Sequence, residues 1–147
     1  MIFDERTEFC DATALNTGAA GSYLIGDVID LTAIGADIGS GFPAFLVISV
    51  DTAVTSGGAA TVQFSLCSDA QAAIAVDGSQ SVHMQSAAIG KATLVAGYQI
   101  VLPIPPGSYE RYLGVVQTTG TAALTAGKVN AFVTFDPAVY KAYADAI

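Results

Sequence analysis

The stretch ATLVAGYQIVLPIPPGSYERYLGV, Ala92 to Val115, runs eighteen residues from Ala92 to Tyr109 without a formal charge before Glu110 and Arg111 stand side by side. Its length raises the question of a membrane span, because a helix needs roughly 20 apolar residues to cross a bilayer core. The residues argue against one. Gly97, Pro103, Pro105 and Pro106 weaken or break a helix, whereas Tyr98, Ile100, Leu102 and Ile104 repeat with the period of two that belongs to a strand. The stretch is expected to be a β-strand ending in a tight turn at PPGS, where proline presets one dihedral and glycine accepts a positive one.

The rest of the chain repeats this pattern of short strand-like runs punctuated by Gly, Ser, Asp and Pro. Ser22 to Thr32 forms one run. Phe42 to Val54 is the densest apolar segment and is expected to be a central strand. TSGGAA, Thr55 to Ala60, offers a hairpin turn before TVQFSLCSD, where Val62, Phe64 and Leu66 face one way and Gln63, Ser65 and Cys67 the other, as in a half-buried strand. Gln71 to Gly90 contains a DG turn at Asp77 and Gly78 flanked by two short possible strands. RYLGVVQTTG and KVNAFVTFD, joined by TAALTAG, carry the β-branched and aromatic residues that suit a pleated surface. The expected fold is all-β: one domain over residues 1–147, an antiparallel β-sandwich of about eight strands. Only the tail, 136–147, has helical features, with Asp136 as N-cap, Pro137 at the first helical position, and Val139, Tyr140 and Tyr143 on one face. A helix this short needs something to pack on.

Of the 147 residues, 52% are hydrophobic and 12% are charged, against a charged fraction of about 25% in ordinary soluble domains. Some apolar side chains must therefore lie on an exposed patch, and large patches mark partner surfaces, so self-association or docking is expected. The net charge of -8 opposes nucleic-acid binding, because the five basic residues Arg6, Lys91, Arg111, Lys128 and Lys141 form no run. MIFDERTEFC has acidic residues where a secretory signal has positive ones, so no standard export signal is expected. Cys10 and Cys67 read as free thiols.

Chemistry is scarce. The single histidine, His83, cannot by itself make a zinc site and would have to serve as base for some Ser or Cys, yet no G-x-S-x-G elbow exists. Cys67, beside Ser68 and Asp69 at a strand end, is the nearest candidate nucleophile. Acidic pairs occur in DVID and FDERTEFCD, but acid–base work needs two carboxylates facing a cleft in different environments, and calcium loops need denser oxygen spacing. GADIGSG lacks the lysine of a P-loop. No enzymatic activity, cofactor, catalytic residue or metal site is expected.

Four segments in order, TEFCDATAL, then Ile29 to Leu31 with Ile38 to Pro43 and on through Val50 to Ala53, then Pro105 to Leu113, then LTAGKVNAFVTFD, resemble the capsid cement, or head decoration, proteins of tailed bacteriophages, of the Bordetella-phage type. The similarity covers roughly Thr7 to Phe135, with Leu94 to Leu113 its most specific part. Cys10 stands where a serine is more usual, and the tail beyond Asp136 matches no motif of the family. The resemblance implies a jelly roll that is made in the host cytoplasm, self-associates as a dimer or trimer, and sits on the outer surface of the virion head. There it would clamp neighbouring major capsid protein subunits together. No nucleic acid or membrane partner is implied. A carbohydrate-binding or adhesin-like β-sandwich is the alternative, although the chain has no Trp to present to a sugar; a small β-barrel enzyme is the third.

Two segments are candidates for contacts. The amino-terminal arm, residues 1–11, alternates apolar and acidic residues and is expected to cross to a neighbour, with Ile2, Phe3 and Phe9 as anchors. In the turn after Pro106, Tyr109, Glu110, Arg111 and Tyr112 concentrate aromatics and charge in a charge-poor chain. Either Arg111 pairs with a local carboxylate and the tyrosines pack on the sandwich, or the turn is an interface hot spot.

Overall fold

The computed structural model describes residues 5–32, 36–38 and 41–140. Among them lie eleven strands: β1 (Glu8–Ala14), β2 (Gly21–Asp30), β3 (Ala36–Ile38), β4 (Phe45–Thr55), β5 (Thr61–Asp69), β6 (Ser81–Gln85), β7 (Ile89–Gly90), β8 (Gln99–Pro103), β9 (Gly107–Tyr109), β10 (Tyr112–Gly120) and β11 (Ala126–Thr134). Short 3₁₀ turns at Glu5–Thr7 and Pro137–Tyr140 flank them. None of the described helical turns is long or apolar enough to cross a membrane.

The strands form two facing antiparallel sheets. One runs β1-β11-β4-β8; the other runs β2-β10-β5-β6, with β7 also on β5, and β3 pairs β9 in a separate ribbon. Without the three short strands, the eight long ones fill the sheets by fours. First lies beside last in one sheet and second beside second-to-last in the other, the nesting of a double-sheet jelly roll.

The period of two decides what goes inside. Leu46, Ile48 and Val50 of β4 meet Val62, Phe64 and Leu66 of β5, with Ile100, Leu113, Val115, Val129 and Ala131 completing one buried cluster. Each fully buried aliphatic or aromatic side chain of this kind stabilises the fold by roughly 1.5–3 kcal/mol. The alternating residues of the uncharged stretch face inward as expected: Ile100 and Ile104 are buried, and Tyr98 and Leu102 pack against the cluster. Buried Gln117 is fully satisfied. Its amide nitrogen donates to the Asn16 carbonyl and the Thr119 hydroxyl, and its oxygen accepts the Asn16 N–H, which pins the β1–β2 connection onto β10.

Several local expectations are corrected. TSGGAA is not a hairpin, because β4 and β5 belong to different sheets and the connection crosses between them. β5 is not half-buried. Cys67 packs with Ile74, Val116, Leu24 and Val28, because the loop before β6 folds over the outer side of the sheet. The DG turn at Asp77 and Gly78 has a strand only after it, β6. PPGS does not close a tight turn, since Gly107–Tyr109 form β9 and pair with β3. The expected arm is partly strand: from Glu8 onward it is β1, at the edge of its own chain's sheet beside β11. In the tail, Asp136 Oδ1 does accept the Ala138 N–H, at 3.1 Å. The described turn is one turn of 3₁₀ helix at Pro137–Tyr140, and residues 141–147, including Tyr143, lie outside the described residues.

Candidate functional site

The junction of β9 and β10 is where the sequence concentrates aromatic and charged groups, and its four residues go to different places. Tyr109 turns inward and is 2% exposed. Its hydroxyl donates to the Pro105 carbonyl, which holds the two prolines against the end of the sandwich. Glu110 stays half-exposed; its backbone N–H donates to Ser68 Oγ at 3.2 Å, and its carboxylate accepts the Ser81 hydroxyl. Arg111 reaches across to the end of β2 and grips Asp30 with two parallel bonds, Nε to Oδ1 and Nη2 to Oδ2, both 2.9 Å. Its guanidinium also lies 5.1 Å from the centre of the half-exposed Tyr112 ring. The Arg111 hydrogen bond, followed by the Thr32 backbone N–H, lowers the Asp30 carboxyl below its ordinary 3.8, and the same pair raises Arg111. Both side chains are exposed, 46% and 39%, so the pair orients the turn more than it stabilises the fold.

Of the other expected contact residues, Phe9 is 1% exposed in its own chain's core and cannot anchor a neighbouring subunit while the chain is folded. Ile2 and Phe3 lie outside the described residues.

The two acidic segments are brought together. Glu8 and Asp11 from β1 and Asp27 and Asp30 from β2 line one open groove of about 1030 Å³, with Arg6 at its side. Asp30 is already engaged by Arg111, and among the described residues no three His, Cys, Asp or Glu groups are placed to hold a metal ion. Both cysteines are free and buried, and burial pushes each thiol up to about 11, so at neutral pH they are inert.

Two features carry little signal in the sequence. His83 does find a serine, Ser68, 15 positions away, with Nε2 2.7 Å from Oγ. Ser68 is 0% exposed, which gives that oxygen no route to a substrate in this conformation. The second is an apolar surface at one end of the β1-β11-β4-β8 sheet. Phe42, before β4, and Phe135, after β11, are 63% and 64% exposed and stack edge-to-face at 5.1 Å. They meet because β4 and β11 are antiparallel, with Phe45 opposite Thr134. Val139 and, on the edge strand β8, Val101 are further exposed apolar side chains. Composition predicted an exposed patch, but only the pairing of β4 with β11 says which residues form it.

No curated protein matches the chain. A family model, Bbp16, matches residues 9–133, from the first strand of the jelly roll into the last. The family's name suggests a Bordetella phage protein, in agreement with a phage origin. By that match over most of its length, the chain belongs to the Bbp16 family.

Proposed function

We propose that the chain is a structural virion protein that binds the outside of a tailed-phage head and cements neighbouring major capsid protein subunits, stabilising the expanded shell. The observation that carries this proposal is the Bbp16 match across the whole jelly-roll body. The surface supports it: Phe42 and Phe135 are bulky, exposed and paired with each other in a chain of few charges, which is the chemistry of a surface that waits for a partner. Repetition by icosahedral symmetry turns modest individual contacts into firm attachment, so no single site has to be strong. The same apolar excess leads us to include self-association, as a dimer or trimer, in the proposal. Co-sedimentation of the purified protein with expanded empty heads tests it. Saturable pelleting with heads supports the proposal, and protein that stays in the supernatant at micromolar concentration contradicts it.

A further inference from the structure

The polar cluster around Ser68 joins three parts of the fold: β5, the edge strand β6, and the β9–β10 junction. Ser68 Oγ accepts the Glu110 N–H and lies 2.7 Å from His83 Nε2 on β6. The Glu110 N–H takes one of that oxygen's two lone pairs, and in the neutral imidazole with its hydrogen on Nδ1 the serine's own proton goes to Nε2. The ring lies on Tyr109, centroid to centroid 4.0 Å, and Ser81, at the start of β6, donates to the Glu110 carboxylate. Among the described residues β6 pairs with β5 alone, so these contacts are its ties to the far side of the turn.

We propose that this cluster is a proton-operated clasp: neutral His83 fastens β6 to β5 and to the β9–β10 turn, and protonation of the imidazole releases it. A protonated ring presents two donors and no acceptor, so Nε2 can no longer receive the Ser68 proton. Ser68 is fully buried, and among the described residues its hydroxyl has no other acceptor, so the lost bond leaves a buried donor unsatisfied. The charged groups around the ring do not offset this. Glu110 favours the imidazolium but is outweighed by burial, which holds His83 below its ordinary 6.5. Asp69, next to Ser68 on β5, accepts the Ala75 and Gln71 N–H groups, and Arg111, just before β10, is held by Asp30. β6 has no other titratable side chain. Because the folded value is depressed, the clasp is closed above pH 6.5 and opens as pH falls through the folded value.

His83 is the chain's one histidine, so its imidazole proton resonance is assigned without ambiguity. We expect it to titrate with a midpoint below 6.5. Through the same midpoint, hydrogen exchange at Ser81 to Gln85, corrected for intrinsic rate, should accelerate by roughly fivefold or more, while β10 amides keep their protection. In His83→Gln, whose side-chain oxygen can accept from Ser68 at any pH, the acceleration should vanish. A midpoint at or above 6.5, or β6 protection that does not change through the transition, overturns the proposal, as does an equal acceleration in His83→Gln. If His83→Gln does not fold, the two wild-type measurements decide.

Discussion

At Gly26 the backbone of β2 lies against the Phe9 carbonyl and the Cys10 sulfur of β1, and there is no room between them for a β-carbon. This contact closes one side of the sandwich, because β1 and β2 belong to opposite sheets. Gly26 takes φ +67 where the β2–β10 register shifts, so the position asks for glycine twice, by dihedral and by space. Gly26→Ala is therefore expected to cost about 2–4 kcal/mol. Gly97→Ala, at φ +86 with nothing near, should cost only the dihedral strain, about 1 kcal/mol. Urea unfolding of both variants checks the difference, and equal losses would contradict it.

Tyr109 belongs to the fold. Truncating a fully buried aromatic, as in Tyr109→Ala, should cost about 3–5 kcal/mol. Tyr109→Phe, which loses the bond to the Pro105 carbonyl, should cost about 1 kcal/mol. Arg111→Ala should leave the melting temperature nearly unchanged, because the Arg111–Asp30 pair is exposed. Thermal unfolding of the three variants tests this order.

Phe42 and Phe135 should behave in the opposite way. Being mostly exposed, they contribute little to folding, so the double change Phe42→Ser and Phe135→Ser is expected to leave the melting temperature almost unaltered. Removing two such side chains from the proposed docking surface should weaken attachment to heads at least about tenfold. Melting curves and head co-sedimentation on the same preparation check it; a folded double variant that binds normally would take these residues out of the interface.

Stability should be greatest over a defined pH window. His83 is depressed below 6.5 when folded, so its contribution is complete above 6.5 and lost as pH falls through the folded value. Asp30, Asp69 and Asp77 are depressed below 3.8 by hydrogen bonds, chiefly from Arg111, the Ala75 N–H and the Ser79 hydroxyl, so their contributions disappear at still lower pH. The two thiols are raised by burial from 9.0 to about 11, so theirs is complete below 9.0 and lost as pH rises through 11. Unfolding midpoints should form a plateau from 6.5 to 9.0 and fall on both sides.

The long strands were legible in the sequence because their alternation is regular. Val62, Phe64 and Leu66, or Ile100 and Ile104, face the core as their spacing requires. β1 is not legible as a strand of this sheet, because two register shifts and Ala12 at φ 43 break its period of two, with Asn130 Oδ1 taking up the Ala12 N–H at 2.6 Å. β3 and β9 are three residues each, too short to show any period. Local pattern also cannot say which sheet a strand joins, so TSGGAA has the composition of a hairpin turn although it crosses between sheets. At the candidate site, the SYERY segment was visible as a concentration of chemistry. The burial of Tyr109, the Asp30 partner of Arg111 and the meeting of Ser68 with His83 depend on strands far apart in the chain.

The most direct test of cementing is a reconstruction of the head of the phage that encodes this chain. Jelly-roll density is expected on the outer surface of the expanded shell, bridging adjacent major capsid protein subunits. A mature head with no such density on its exterior, or density that touches a single capsid subunit without bridging to the next, would contradict it.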